Sequence, residues 1–357
     1  REPGRRTFCH PDVYKGTGVR LYKNLGNGKF ADRTGPAQLE STEGKCLGLV
    51  LADFNGDSWP DMFVANDGVQ NFLYVNRGDG TFGEEGLASG VGFSDDGQPE
   101  AGMGADSADA NGDLLPDIYV SHLDNELNRL YRNQGDGRFK DATVETGLGT
   151  ERSLFSGFGL KFADFDNSGR QHIVVANGHI LDNITLFHPL VRYREPTLLL
   201  EQSGCCSYRN SSALAGPVFQ KPLLGRGLAT GDLDSDGLID FVISQNFGSP
   251  VVVRNRSAGG NWLTLTLRGA GESNRDAVGA EVTIVSGGKK QRAQVTGASS
   301  YCSASDRKLH FGTGAATRVD RLDVKWPSGK VETLSHVTLN RTLTLTEGQV
   351  ASLQIVH

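Results

Sequence analysis

Short apolar runs alternate with polar, glycine-rich turns through the first 258 residues of the chain. The runs lie at residues 47–52, 62–65, 118–120, 173–176 and 241–244. They lack the strict alternation of a half-buried strand, which is typical of strands that are buried on both faces. No stretch shows a convincing helical periodicity. The pattern predicts an all-β chain built from many short strands.

A second recurrent unit is a pair of strands joined by a tight glycine turn. Residues 19–30, 71–82 and 129–139 each contain Leu-Tyr-x-Asn, then a Gly-Asn-Gly or Gly-Asp-Gly turn, then Phe. Two strands separated by such a turn indicate a β-hairpin. One polar loop lies between consecutive hairpins, and the loops begin at residues 53, 109, 164 and 232. Four strands per repeat at roughly this spacing predict β-propeller blades rather than a helical solenoid.

The pattern changes after residue 258, where the polar loops stop. Short runs rich in β-branched residues follow at residues 262–267, 280–285, 291–295, 321–326 and 342–345. We therefore predict two domains, a propeller over residues 1–258 and a small β-sandwich or open barrel over residues 259–357.

Charge and composition narrow the class of protein. The chain has 357 residues and a formal charge of −6, and many of its acidic residues fall in the polar loops. Lysine and arginine are scattered, so we expect no nucleic-acid partner. No apolar run approaches the roughly 20 residues of a membrane span. The first residue is arginine and no signal peptide is present, so we expect a mature form or a fragment.

Oxygen-bearing side chains recur at positions 1, 3, 5 and 9 of three polar loops. They are Asp53, Asn55, Asp57, Asp61, Asp109, Asn111, Asp113, Asp117, Asp232, Asp234, Asp236 and Asp240. Carboxylates this close together repel one another unless a cation neutralises them, and oxygen ligands at alternating positions suit Ca²⁺. The sequence therefore predicts Ca²⁺ as a cofactor with a structural role.

The third polar loop departs from this pattern. Asp164 and Asp166 keep their positions, but Ser168 stands at position 5 and His172 replaces the closing aspartate. We expect this loop to bind Ca²⁺ weakly or not at all.

Two further features favour an extracellular protein. Four Asn-x-Ser/Thr sequons at Asn183, Asn210, Asn255 and Asn340 are candidate glycosylation sites. In an oxidising compartment, the five cysteines would form one or two disulfides. They are Cys9, Cys46, Cys205, Cys206 and Cys302, and their spacing leaves the pairing open. We expect a secreted protein.

Arg77, Gly78 and Asp79 form an Arg-Gly-Asp tripeptide on a predicted hairpin, which allows an adhesive, integrin-ligand interpretation. The alternative is that the repeat requires Gly-Asp-Gly for its turn and that Arg77 precedes it by chance. The eight histidines are dispersed and none pairs with a nucleophile motif, so we predict no catalytic residues. Trp326 is expected to be buried in the second domain.

These motifs resemble a known combination. The polar loop followed by Leu-Tyr-x-Asn-x-Gly-Asp-Gly-x-Phe resembles the FG-GAP repeat of integrin α-subunit propellers. The tail resembles the ASPIC/UnbV domain at residues 261–263, 274–280, 299–301, 309–312, 324–329 and 347–348. Together they resemble the cartilage acidic protein family, which implies a secreted, glycosylated, calcium-binding matrix or cell-surface protein.

The resemblance has two departures. The family is usually described with more blades ahead of the first loop and with an EGF-like module after the tail. The propeller is then either a compact ring of four or five blades or a fragment of a larger ring. We favour the fragment, because no calcium loop precedes the hairpin at residues 19–30.

The function predicted from the sequence is a non-enzymatic, calcium-rigidified extracellular scaffold that binds other proteins through propeller loops. Its partners would be matrix or cell-surface proteins. Three alternatives remain: a hydrolase or lyase acting on glycan or lipid at a propeller face, an integrin ligand, and a regulator of a neuronal receptor of the Nogo-receptor type, which the resemblance allows.

Overall fold

The computed structural model describes residues 11–41, 43–149, 154–204 and 206–350, and these form an all-β structure. Its helices are short: one α-helix, α1 (Gly86–Ser89), and three 3-10 turns at Pro11–Val13, Ile184–Leu186 and Pro217–Gln220. No helix in the described ranges is long and apolar enough to span a membrane. The expectation of an all-β chain is confirmed.

The first 17 strands form a hairpin and four consecutive antiparallel meanders. The opening hairpin pairs β1 (Tyr22–Gly26) with β2 (Lys29–Asp32). Blade 1 contains β3 (Cys46–Ala52), β4 (Asp61–Asn66), β5 (Phe72–Asn76) and β6 (Phe82–Glu84). Blade 2 contains β7 (Ala105–Ala108), β8 (Asp117–Val120), β9 (Arg129–Asn133) and β10 (Phe139–Asp141). Blade 3 contains β11 (Gly157–Ala163), β12 (His172–Asn177), β13 (Leu198–Ser203) and β14 (Ser207–Asn210), and blade 4 contains β15 (Gly225–Gly231), β16 (Asp240–Gln245) and β17 (Val251–Val253).

In each blade the polar loop joins the first strand to the second. The second strands of blades 1, 2 and 3 are buried along their whole length, as the continuous apolar runs predicted. Apolar clusters fill the space between successive blades. The arrangement is the propeller-like fold expected from the repeats.

In blades 1, 2 and 3, one glycine in or just before the first strand lets the next blade approach. A Cβ at Gly48 would lie 2.8 Å from the carbonyl oxygen of Met103, and one at Gly159 would lie 2.5 Å from the amide nitrogen of Leu228. Gly104 meets the backbone of Phe158 in the same way. Any larger residue would push the blades apart, so these glycines set the spacing of the first strands.

The C-terminal domain is a two-sheet structure. Its strands are β18 (Asn261–Arg268), β19 (Glu281–Ser286), β20 (Lys289–Gln294), β21 (Leu309–Gly314), β22 (Arg318–Lys325), β23 (Val331–Thr338) and β24 (Arg341–Thr346). One sheet has the order β21-β18-β24, and the other has the order β20-β19-β22-β23. Both sheets contribute to one apolar core, in which Trp326 is 1% exposed. This is the burial predicted for Trp326.

The C-terminal domain covers the polar-loop face of the propeller. Lys325 donates from Nζ to Ser58 Oγ in the first loop, and Arg292 donates to the carbonyl oxygen of Leu114 in the second at 3.3 Å. The third loop is contacted as well, because the amide of Gly314 donates to the carbonyl oxygen of Asn167 at 2.8 Å.

A segment of the C-terminal domain, residues 299–306, enters the space between the first strands of the blades; we call it the axial segment. Its Ser300 amide donates to the Ala105 carbonyl at 2.6 Å, and its Ser300 Oγ accepts the Leu160 amide at 2.9 Å. The Asp306 amide donates to the Thr230 carbonyl at 3.0 Å, and Tyr301 bridges to Gly48. This one segment therefore contacts all four blades.

Candidate metal centre in the aspartate loops

The first aspartate of each loop shapes its own turn. Asp53 accepts the amide of Gly56 at 2.7 Å on Oδ1 and the amide of Ser58 at 2.8 Å on Oδ2. Asp109 accepts the corresponding amides of the second loop, and Asp232 accepts the amides of Asp236 and Gly237. These bonds hold the carboxylate at the inside of the turn, where positions 3, 5 and 9 can reach the same cation.

The closing aspartate connects the loop to the outer hairpin of its blade. Asp61 accepts the amide of Phe54 at 2.9 Å and the amide of Asn76 at 2.8 Å. Asp117 likewise accepts the amides of Ala110 and Asn133. Asp240 accepts the amides of Leu233 and Asn255. Each of these oxygens has a second lone pair, so the bonds leave room for a cation. Sequence reasoning predicted a ligand here and missed this structural role.

Burial makes the closing carboxylates of the first two loops hard to ionise without a counter-charge. Burial raises the pKa of Asp61 to about 6, with a smaller contribution from Asp57 and Asp53. Burial likewise raises the pKa of Asp117 to about 7. A buried negative charge is costly unless it is paired, so a bound cation would stabilise the ionised loop.

The four loops differ in how their ligand atoms gather. In the fourth loop, carboxylate oxygens of Asp232, Asp234 and Asp240 lie within 4.8 Å of one another. Arg254 pairs there with Asp234 and, at 3.4 Å, with Asp236. In the first loop the amide of Asn55 donates to Asp57 at 2.9 Å, and the second loop repeats this contact. Among the described residues, the third loop also brings ligand atoms of Asp164, Asp166 and His172 within 4.8 Å of one another. The carboxylate and amide oxygens of the other three loops are of the kind that suits Ca²⁺.

In the third loop, an arginine and a histidine lie against Asp166. His172 Nε2 lies 3.2 Å and Arg170 Nη2 lies 3.3 Å from the carboxylate oxygens of Asp166. Burial alone would raise the pKa of Asp166, but the hydrogen bonds from His172 and Ser168 outweigh it and hold the pKa well below its usual range. An internally neutralised carboxylate has less need of Ca²⁺. This geometry supports the expectation of weak binding, which stays a prediction.

The third loop instead supports the C-terminal domain. Asn167 Nδ2 donates to the carbonyl oxygen of Gly237 at 3.0 Å, and its Oδ1 lies 2.7 Å from His310 Nε2. Because Oδ1 can only accept, His310 donates from Nε2 and accepts the hydroxyl of Thr264 on Nδ1 at 2.9 Å. Burial lowers the pKa of His310 to about 4, so it is neutral in this contact at neutral pH.

A cavity of about 230 Å³ lies between the loops and the C-terminal domain. The first aspartates of all four loops line it, together with Lys161 and Arg292. Lys161 is paired with Asp106 at 2.8 Å, and Arg292 is paired with Glu281 at 2.7 Å. Linear sequence could not show this convergence, because the lining comes from both domains.

The candidate glycosylation sites differ in whether the side-chain amide nitrogen already donates hydrogen bonds. Asn210 is exposed, and its Oδ1 accepts from Ser212. Asn255 Nδ2 already donates to the carbonyl oxygens of Phe165 and Ile239, and Asn340 Nδ2 donates to Asn261 at 2.8 Å. Asn183 is half-buried. Asn210 is therefore the sequon whose geometry best suits a glycan.

Both charged ends of the Arg-Gly-Asp tripeptide are held locally. Arg77 donates to Gln38 at 2.9 Å, and Asp79 accepts both the amide and the hydroxyl of Thr81. These contacts favour the turn interpretation over the adhesive one. Cys46 and Cys302 are free thiols, so they do not pair with each other; Cys9 and Cys205 lie outside the described residues.

Comparison with known proteins follows the same division. The FG-GAP-like repeat model matches residues 10–64, 53–120 and 109–175, and the ASPIC and UnbV model matches residues 270–352. The chain is thus an FG-GAP-repeat protein with an ASPIC/UnbV domain, as the resemblance predicted. Its curated homologues are cartilage acidic protein 1 of Homo sapiens, 27% identical over 84% of this chain, and of Xenopus tropicalis, 28% identical over 81%.

This chain spans less than half of those relatives, because the matches cover 43% of the human protein and 42% of the frog protein. Among solved structures, a lectin of Agrocybe aegerita that recognises non-reducing terminal N-acetylglucosamine aligns with 67% of this chain and 61% of its own. Its identity is 18% and its TM-score is 0.38. A similarity at this level adds nothing on function.

Proposed function

We propose that this chain is part of an extracellular matrix-type scaffold protein, that Ca²⁺ stabilises its blades, and that it binds extracellular or cell-surface proteins. The FG-GAP repeats and the cartilage acidic protein homologues support this class, and the relatives' name is not that of an enzyme. The sequons support secretion.

The observation that carries the proposal is the repeated link between loop and hairpin. In blades 1, 2 and 4 a buried closing aspartate accepts the amide of the hairpin asparagine at 2.7–2.8 Å. A cation held by the loop would neutralise that aspartate without breaking the link. Bound Ca²⁺ supplies positive charge to the carboxylates, and the free energy of its binding adds to that of folding.

Calcium is tested on the intact chain by calorimetry and thermal unfolding. We expect one Ca²⁺ per intact loop, three in all, and a melting temperature that falls on chelation and recovers when Ca²⁺ is added. The variant Asp236→Ala, at the fifth position of its loop, should lose one bound ion. The matched control Ser168→Ala, at the same position of the third loop, should lose none. A melting temperature that does not change on chelation would overturn the structural role of Ca²⁺.

The partner-binding surface is proposed on the face opposite the aspartate loops, since the C-terminal domain covers the loop face. The second strand of each blade leads to that face, where the long connection between β12 and β13 includes Leu190, 76% exposed, and where Phe247 after β16 is 86% exposed. Exposed apolar side chains on a rigid face are common features of protein-binding surfaces.

Capture from membrane and matrix extracts tests this surface. Leu190→Asp and Phe247→Asp should each weaken retention of the partner, whereas the control Val331→Asp on the C-terminal domain, where Val331 is 61% exposed, should not. Equal retention of the partner by all three variants would reject the proposed binding face. Retention only from neuronal membranes would favour the neuronal-receptor alternative.

The enzymatic alternative has one supporting observation, the charged cavity between the domains. In the described lining, however, the one histidine, His310, bonds to Asn167 and Thr264 rather than to a nucleophile. Turnover of glycan or phospholipid substrates that is lost in Lys161→Met would favour the enzyme over the scaffold.

A further inference from the structure

The sixth position of every polar loop has the same backbone conformation. Its φ angle is positive in all four loops, between 73° and 85°. Its amide donates to Oδ2 of the first aspartate of the same loop at 2.7–3.0 Å. A left-handed conformation is unfavourable for a residue other than glycine, so it has to be held by contacts. The four sixth-position residues are Ser58, Leu114, Gly169 and Gly237.

The four-stranded sheet of the C-terminal domain contacts this position in the first two loops. Lys325 in β22 donates from Nζ to Ser58 Oγ. Arg292 in β20 donates from Nη1 to the carbonyl oxygen of Leu114 at 3.3 Å. These are the two loops whose sixth residue is not glycine, so each strained residue has a hydrogen-bond partner in the other domain.

The three-stranded sheet contacts the same position in the other two loops by close packing. A Cβ at Gly169 would lie 3.2 Å from the carbonyl oxygen of Gly312 in β21, and a Cβ at Gly237 would lie 1.9 Å from the ring of Trp262 in β18. Packing this close fixes the backbone on which it acts. The C-terminal domain therefore holds the equivalent point of all four loops.

The fourth loop is where this contact can be separated from charge. Carboxylate oxygens of Asp232, Asp234 and Asp240 lie within 4.8 Å of one another there, and the contact from the C-terminal domain is the uncharged ring of Trp262. In the first loop, by contrast, Arg292 lies 3.9 Å from Asp53. A cation at that distance opposes Ca²⁺ in the first loop.

We propose that the C-terminal domain is a positioning element for the calcium loops. By docking on the sixth positions it pre-forms the loops, and Trp262 in this way raises the affinity of the fourth loop for Ca²⁺. This inference rests on the calcium role proposed above. The first aspartate connects the two events, because the carboxylate that accepts the sixth-position amide is also a predicted ligand. Such coupling is reciprocal, so Ca²⁺ would tighten the docking of the domain by the same factor.

Calorimetric titration of the full chain with Ca²⁺ tests the proposal. Asp57→Ala together with Asp113→Ala leaves the fourth loop as the one intact aspartate loop. In this background we expect Trp262→Ala to raise the dissociation constant for Ca²⁺ about 10-fold, which is within the usual range of coupling between two sites. Trp262→Phe keeps a ring against Gly237 and should restore most of the affinity. Equal affinity with Trp, Phe and Ala at position 262 would overturn the proposal.

The reverse background distinguishes positioning from general support of the fold. Asp236→Ala removes the fourth site and leaves the first two. In that protein Trp262→Ala should change the calcium affinity by less than about 2-fold, since distant sites behave independently. A similar loss of affinity at the first two sites would show that Trp262 supports the whole fold, and would reject its role at the fourth loop.

Hydrogen exchange measures the reciprocal effect. The amides of Gly260, Asp306 and Gly314 donate from the C-terminal domain to carbonyl oxygens of the propeller. Ca²⁺ should slow their exchange about 10-fold in the unaltered chain and by less in Trp262→Ala. If the unaltered chain binds Ca²⁺ and these amides exchange at the same rate, the coupling is wrong and the calcium role stands. If the unaltered chain binds no Ca²⁺, both are wrong.

Discussion

Some side chains in this protein have structural roles that their residue type alone does not predict. Asp117, at the ninth position of its loop, is 1% exposed and accepts two backbone amides. Asp113, four residues earlier, is exposed and bonds within the loop. A motif assigns both the same role as candidate calcium ligands, whereas the burial of Asp117 and its two backbone bonds give it a structural role as well.

Replacing these two aspartates separates the roles. Asp117→Asn should destabilise the metal-free protein by about 2–4 kcal/mol, because one of its two amide partners would face an NH₂ group inside the protein. Asp113→Asn should change metal-free stability by less than about 0.5 kcal/mol and weaken calcium binding. Urea unfolding in chelator and a calcium titration measure the two effects; similar losses in metal-free stability would contradict the assignment.

His122 is a buried base that stays neutral. It is 0% exposed, and burial, together with nearby Arg129, lowers its pKa to about 3. Glu100 lies 3.8 Å from Nε2, too far for a hydrogen bond, and is itself paired with Arg129 at 2.6 Å. The ion-pair contact therefore does not raise the pKa.

The sign of the pH dependence follows from this lowered pKa. Below pH 6.5, the ordinary pKa of histidine, His122 binds a proton in the unfolded chain but not in the folded chain. The contribution of His122 is thus complete above pH 6.5 and decreases as pH falls toward 3, by up to about 1.4 kcal/mol per pH unit. Urea unfolding from pH 7 to 4.5 in chelator should show this slope, and His122→Leu should reduce it. An identical slope in the variant would contradict the prediction.

At the scale of the element, sequence patterns located the strands well but not their neighbours. The apolar runs at residues 62–65 and 173–176 lie in the buried strands β4 and β12, because continuous hydrophobicity reports burial on both faces. The glycines at positions 48, 104 and 159 were overlooked. Their spacing resembles that of the first three loops, but what requires them is close contact with the backbone of the next blade, which no local pattern reports.

Gly159 provides a test of that contact. Gly159→Ala places a Cβ 2.5 Å from the backbone of blade 4, so we expect a loss of about 2–4 kcal/mol in the free energy of unfolding. Gly297→Ala, whose nearest neighbour would be Val278 at 3.8 Å, is the matched control and should be nearly neutral. Denaturant unfolding measures both, and equal effects would reject the close-packing role.

At the scale of the whole molecule, the two predicted domains are physically connected. The axial segment bonds to Ala105, Leu160 and Thr230 of three blades. Tyr301 packs its ring at 5.1 Å on Phe158 in blade 3. These contacts join residues that are distant in the chain, so neither part has a complete set of partners without the other.

Cooperative unfolding should reflect this connection. The intact chain should unfold in one calorimetric transition, and Tyr301→Ala should lower its stability by about 1–3 kcal/mol. Calorimetry and the fluorescence of the buried Trp326 should shift together, while Val331→Ser on the exposed surface should shift neither. Separate transitions for the two parts in the intact chain would show that the axial segment does not couple them.

The sequence by itself determined the strand content, the repeat, the aspartate loops and the change of pattern near residue 258, because each depends on periodicity or turn chemistry within a few residues. Only the tertiary structure decided that Asp61, Asp117 and Asp240 link loop to hairpin and that the C-terminal domain covers the loop face. These depend on packing between distant segments, where shape and hydrogen-bond partners, rather than local residue type, determine which surfaces meet.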